Sequence, residues 1–381
     1  MKRILPWVVP LLALVMAAGC ASKKTDKPTP LVKIKNQIQI RRVWHTHLGG
    51  EKPKLRLGLG VTASDSQVFI ASYKGEVESY ALSTGRRLWS RKLKVPLSAG
   101  PAVGDGMVVV GSAKGDIVAL SGSDGRELWH RRINTELLAA PAIGTGLIAV
   151  RGVDGSLHAL SPQDGTDLWT TTEDVPRLSL RGTSRPILYG DLVVCGYDNG
   201  HVVAALRANG NTAWDTTVGE SRGNTELARL IDVDATPVLD GGDLFAVAYQ
   251  GRIARLSSEN GQIIWTHNLS SYRGFAVGNG SLYVSTADGG IVALDRSTGS
   301  EQWTQKGLIR RQPSAPALYH GELVVGDYQG YVHWLDPKDG HIVARMRDGK
   351  KLVSTTPLVA GDLLLVFDDD GNLTAYRTPA P

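Results

Sequence analysis

The chain has 381 residues, a formal net charge of +5, 44 glycines and only two cysteines. Its 42 basic and 37 acidic residues are too balanced and too dispersed for nucleic-acid binding, which is excluded as a function class. The hydrophobic residues, 42% of the chain, fall in strand-length runs without sustained helical periodicity, so the composition predicts an all-β, turn-rich protein with an ample core.

The first twenty residues, MKRILPWVVPLLALVMAAGC, carry two positive charges, an apolar run, small residues and Cys20. This is the form of a secretory signal over residues 1–19, and too short a span for a membrane helix. "AAGC" resembles a bacterial lipobox, although Ala17 stands where that pattern usually has Leu. The resemblance implies that Cys20 becomes the acylated N-terminus. Ala21 follows it where an Asp would resemble an inner-membrane retention signal, which favours the outer membrane. The polar stretch 20–37 then reads as the lipidated cysteine with a flexible tether, and 38–381 as one domain. Removing Lys2 and Arg3 with the signal leaves a formal charge of +3. Cys195 becomes the only internal cysteine. It lies in the apolar run DLVVCGYD and reads as a buried strand thiol, with no intrachain disulfide to form.

After the strand-like RRVWHTHLG around Trp44, a fifteen-residue phrase recurs seven times without a gap. The copies are GEVESYALSTGRRLW (75–89), GDIVALSGSDGRELW (115–129), GSLHALSPQDGTDLW (155–169), GHVVAALRANGNTAW (200–214), GRIARLSSENGQIIW (251–265), GGIVALDRSTGSEQW (289–303) and GYVHWLDPKDGHIVA (330–344). A second glycine ten places after the first suits a tight reversal between strands. Four places further stands Trp89, Trp129, Trp169, Trp214, Trp265 or Trp303, and Ala344 in the seventh copy. Two more strand signals precede each phrase, so every unit reads as four short strands, at a mean period of roughly 42 residues, in the range of propeller blades. An eighth hairpin, beginning at Gly371, lacks its last strand, whereas Trp44 has no hairpin before it. Pairing the two closes a ring of eight blades and removes the exposed edges.

Two insertions break the period. VPRLSLRGTSRP (175–186) precedes the fourth hairpin and VGESRGNTELARLIDVDATPV (218–238) the fifth, so they are expected as adjacent loops on one rim. Exposed Leu178 and Leu180 beside Arg181 form a plausible protein-binding patch, apolar anchors with a guanidinium fork. The alternative is that the leucines cap the propeller and Arg181 pairs with an aspartate. Asp232 and Asp234 could meet basic residues of a partner or hold Arg181; both readings stay open. Unpaired blade edges could also accept extended strands.

No catalytic arrangement stands out: His45 and His47 read as strand positions, DDDG at 368–371 as a turn, and no Ser/His/Asp set has credible spacing. Neither a catalytic, cofactor-binding nor metal site is expected. Eight blades with a recurring Trp, spelled ALSGSDGRELW and ALSPQDGTDLW, resemble the quinoprotein alcohol dehydrogenase-like propellers and their tryptophan-docking motif. That resemblance implies fold and leaves activity open. The enzymes of that group carry adjacent cysteine pairs or haem motifs that this chain lacks. The lipobox, the eight blades, LSLRG and TELARLIDVDATP together resemble the BamB family, lipoprotein subunits of the outer-membrane β-barrel assembly machine. The resemblance implies a non-enzymatic scaffold, lipid-anchored at the periplasmic side of the outer membrane, monomeric within a hetero-oligomeric complex. It further implies that Leu178, Leu180, Arg181, Asp232 and Asp234 dock the POTRA domains of BamA, and that nascent β-barrel proteins are handled. The rival readings are a periplasmic quinone-dependent dehydrogenase and an envelope lipoprotein with some other partner.

Overall fold

The glycine and the tryptophan that recur together in each copy meet in space, and that contact explains their pairing. The computed structural model describes residues 27–49, 57–176, 178–220, 224–225 and 230–379. In it, each hairpin supplies the third and fourth strands of an antiparallel sheet. Blade 1 spans 61–92, blade 2 97–132, blade 3 142–172, blade 4 187–217, blade 5 238–268, blade 6 275–305 and blade 7 317–347. Blade 8 combines 358–377 with the strand Arg41–His47.

That last blade is the predicted closure. Arg41–His47 runs antiparallel to Asn372–Arg377, with Arg42 opposite Tyr376 and Trp44 opposite Ala375. His45 and His47 reach across the same pair to Thr374 and Asn372, as strand side chains do. Blade 2 departs from the four-stranded pattern. The two residues Gly58–Leu59 add a fifth, parallel strand beside Leu97–Gly104, placing Leu59 in the seam between blades 1 and 2.

Each seam has its own apolar cluster, so the ring is held by neighbour-to-neighbour stacking. Seven of the eight seams share one lock. The tryptophan sits beside a β-bulge, which turns its indole toward the next blade. There the indole lies against the turn glycine: Trp44 on Gly85, Trp89 on Gly125, Trp129 on Gly165, Trp169 on Gly210, Trp214 on Gly261, Trp265 on Gly299 and Trp303 on Gly340. Its N–H donates to a carbonyl of the same turn, at 2.7–3.3 Å. These glycines have φ of 66–77°, and a Cβ on any of them would come within 2.5–2.6 Å of the indole. Glycine is thus required both by the backbone and by the space.

The exception at Ala344 now has a cause. Blade 8 takes its fourth strand from the other end of the chain, so it has no outer hairpin turn and no glycine for an eighth indole to cover. Its seam with blade 7 is filled instead by Trp334, edge-on to Tyr376 with ring centroids 6.0 Å apart, and by Ile38 and Ile40 of the incoming chain.

The expected flexible tether 20–37 needs correction over its second part. Thr29 N–H donates to Ile309 O at 3.1 Å and Gln37 N–H to Val343 O at 2.8 Å, so this stretch lies bound along blade 7. Cys20 and the signal 1–19 fall outside the described residues. Among the described residues, no helix is long and apolar enough to cross a membrane.

Candidate partner-docking site

Every connection from one blade's outer strand to the next blade's inner strand crosses the same face, where it bonds the turn between the two middle strands. Val233 N–H donates to Tyr197 O, and Tyr328 N–H to Arg311 O, at 3.1 and 3.0 Å. The two insertions are the connections into blades 4 and 5, and they lie side by side as predicted.

The second insertion is a buried strut. Ile231 and Val233 pack into the seam between blades 4 and 5 with Val194, Val202 and Trp214. Gly196 permits that approach, since a Cβ there would stand 2.4 Å from Val233 O. Asp232 is 0% exposed and Asp234 5%. Asp232 Oδ2 accepts the backbone N–H of Leu180 at 2.5 Å, while its own carbonyl accepts Tyr249 N–H. The strut therefore ties loop 178–181 to blade 5. Residues 221–223 and 226–229 of this insertion are outside the described set.

Arg181 reaches the other way, into the connection before blade 3. Its two terminal nitrogens donate to the two carboxylate oxygens of Glu136, at 2.5 and 3.3 Å. Asp232 and Asp234 are both buried, and Arg181 donates to Glu136. Asp232 instead holds the backbone of the leucine patch. Nothing in the local sequence around Glu136 marks it as the partner of Arg181. The signal was topological, because the connection before blade 3 must neighbour the one before blade 4 on the same face.

Leu178 is 44% exposed at the loop's tip, Leu180 is half-buried, and the Arg181 side chain keeps 36% of its surface open. Under the loop lies a buried stack: Arg151, fully buried, covers the Tyr197 ring at 4.2 Å and stands 3.9 Å from Asp198. Burial pushes the Asp198 carboxyl above its ordinary value, against the pull of Arg151. Val175 packs on Tyr197 and Cys195, whose thiol burial raises to about 11. Such a thiol is inert, as expected for a strand cysteine.

Two other clusters serve their own turns. Asp368 accepts from Asp370 N–H, Asn372 N–H and the Asn372 side chain. Asp336, Asp339 and His341, the group of possible metal donors among the described residues, surround the outer turn of blade 7, where Asp336 accepts Lys338 N–H and Asp339 accepts His341 N–H.

Fold and loop together define an eight-bladed quinoprotein-like propeller that offers a braced Leu–Arg loop on one face. Its shape matches a quinohemoprotein alcohol dehydrogenase from Comamonas testosteroni with a TM-score of 0.72, covering 91% of this chain and 78% of that one; at 11% identity this is a likeness of fold alone. The crystal structure of BamB from Moraxella catarrhalis matches with a TM-score of 0.82 and 25% identity, over 89% of this chain and all of that one. The outer membrane protein assembly factor BamB of Pseudomonas aeruginosa is 45% identical over 369 residues, 96% of this chain and 97% of its own. A family model described as outer membrane protein assembly factor BamB matches residues 73–305. The chain belongs to the BamB family.

Proposed function

We propose that this chain is a non-enzymatic docking scaffold of the outer-membrane assembly machinery, held to the periplasmic side of that membrane by acyl chains on Cys20. Family membership supports an assembly-factor role and an outer-membrane lipoprotein. The finer reading is that loop 178–181 binds the POTRA domains of BamA. Leu178 enters an apolar groove there, Leu180 supports it from the loop's inner side, and Arg181 offers its remaining donors to a partner carboxylate. Asp232 and Asp234 act from behind, by keeping the loop in one shape.

The observation that carries this reading is the combination of an outward-facing Leu178 with a loop backbone pinned from both sides, by Asp232 and by the Arg181–Glu136 pair. A pre-formed loop binds without the cost of ordering it. Covering the exposed part of Leu178 supplies on the order of 1 kcal/mol, so the arginine and the neighbouring surface must carry the rest. Replacing Leu178, Leu180 and Arg181 together by alanine should abolish co-purification of BamA from solubilised membranes while thermal unfolding changes little. Full retention of BamA by that variant would refute the site. Extended β-barrel segments adding to blade edges form a weaker second role, supported by the open outer strands that carry exposed Leu128, Leu168 and Ile264.

A further inference from the structure

The segment between the lipid site and the propeller is clamped from inside the fold. Arg311, whose side chain is 3% exposed, is held by Asp327 at 2.7 Å and by Gln329, and it donates to Thr29 O at 3.2 Å. Arg345 is held by His333 Nδ1 at 3.0 Å and donates to Val32 O at 2.8 Å. Asn36 exchanges two hydrogen bonds with the backbone of Arg345, and Leu31 packs beside Leu308 and Leu335. Residues 29–37 therefore form a strap on the rim of blades 6 and 7.

The strap shortens the leash. Eight residues lie between Cys20 and Thr29, and however they are arranged, the nine Cα–Cα steps from one to the other span at most about 30 Å. The outer side of the strap is unlike the rest of the surface. Val32 is 75% exposed and Ile34 36%, and they alternate with exposed Lys33 and Lys35, with Lys27 just before. Apolar side chains turned outward among lysines suit the headgroup boundary of a bilayer, and the lysines suit anionic lipid.

We infer that the rim of blades 6 and 7, through strap residues Lys27, Val32, Lys33, Ile34 and Lys35, rests on the anionic lipid surface that holds the chain's own anchor. Blades 2 and 3, diametrically opposite in a ring of eight, are then farthest from the membrane. Thr29 is bound to the connection into blade 7, on the face that also carries loop 178–181, about three-eighths of a turn away. The lipid contact thus leaves the docking loop uncovered. This inference rests on the proposed acylation of Cys20 and is independent of what loop 178–181 binds.

The test uses the mature acylated protein in vesicles of phosphatidylethanolamine with a quarter phosphatidylglycerol and a nitroxide-headgroup lipid. A fluorophore is placed through Lys306→Cys, beside the strap, or through Asn134→Cys on the opposite rim; both positions are exposed, and buried Cys195 escapes labelling. Flotation with the vesicles reports the anchor, and the quenching ratio reports which rim faces lipid. Quenching at position 306 should exceed that at 134 several-fold. Val32→Ser, Lys33→Gln, Ile34→Ser and Lys35→Gln together, all at exposed positions, should at least halve that difference while flotation persists. Equal quenching at the two rims in the floated, unaltered protein would overturn the inference, as would an undiminished difference in the fourfold variant. Failure to float would instead place the fault in the acylation of Cys20.

Discussion

The hydrogen bond from Leu180 N–H to Asp232 is the point at which the candidate docking loop can be loosened without touching its outward side chains. Asp232 is fully buried and its Oδ2 lies 2.5 Å from that nitrogen. A hydrogen bond to a charged group contributes about 1.5–3 kcal/mol, equivalent to roughly a 10–150-fold change in the opening equilibrium of the loop. Asp232→Ala removes the acceptor and should speed hydrogen exchange at the Leu180 amide by that factor. Asp232→Asn keeps a carbonyl oxygen in place and should retain most of the protection. Exchange at Val203, deep in blade 4, serves as the internal reference for global stability. On the proposed docking to BamA, affinity should fall in the same order, alanine below asparagine below the native residue, since an opened loop must be re-ordered on docking. An unchanged Leu180 rate in Asp232→Ala would refute the bracing role. Equal losses in the two variants would show that charge, and not this bond, sets the loop.

Three further outcomes test the ring and its interior. Trp44→Ala empties the closing seam of an indole that is 8% exposed, and should cost about 3–5 kcal/mol in urea unfolding; a loss below 1 kcal/mol would contradict closure through this blade. Ala344→Trp restores the recurrent residue where no turn glycine receives it, so it should destabilise by about 1–3 kcal/mol through overpacking against Trp334 and Ile40, and a raised melting temperature would show the seam had room. His333 is a buried neutral imidazole: Nδ1 accepts from Arg345, and Nε2–H donates to Asp327. Burial holds its pKa below the ordinary 6.5 in spite of Asp327, so as pH falls through that value the unfolded chain takes up a proton that the folded protein refuses. Stability present above pH 6.5 is then lost on acidification, by up to about 1.4 kcal/mol per pH unit until the folded-state pKa is reached. Asp327 adds to this at lower pH: burial alone would raise its carboxyl, but donors from His333 and Arg311 outweigh burial and hold it below its ordinary value. Melting temperatures between pH 7.5 and 5 should decline more steeply for the native protein than for His333→Gln, and equal slopes would refute the assignment.

The repeating unit, the eight blades, the closure through Trp44 and the adjacency of the two irregular loops are all legible in the amino-acid order alone. All of these follow from turn chemistry and strand alternation within a period of roughly 42 residues, together with the rule that successive blades are neighbours. Which side chain meets which across blades emerges from the folded packing. The pairing of Arg181 with Glu136 spans 45 residues, that of Leu180 with Asp232 spans 52, and that of Asn36 with Arg345 spans 309. A carboxylate in a polar loop reads alike whether it faces solvent or a buried amide. The burial of Asp232 and Asp234 therefore depended on Ile231 and Val233 entering the seam beside them. The strap was hidden for the same reason: a short lysine-rich stretch reads as a tether until the arginines that grip its carbonyls are brought from the far end of the chain. Local pattern specifies the elements and their order, but packing between distant elements sets exposure, and exposure separates a residue that can touch a partner from one that holds the residue that does.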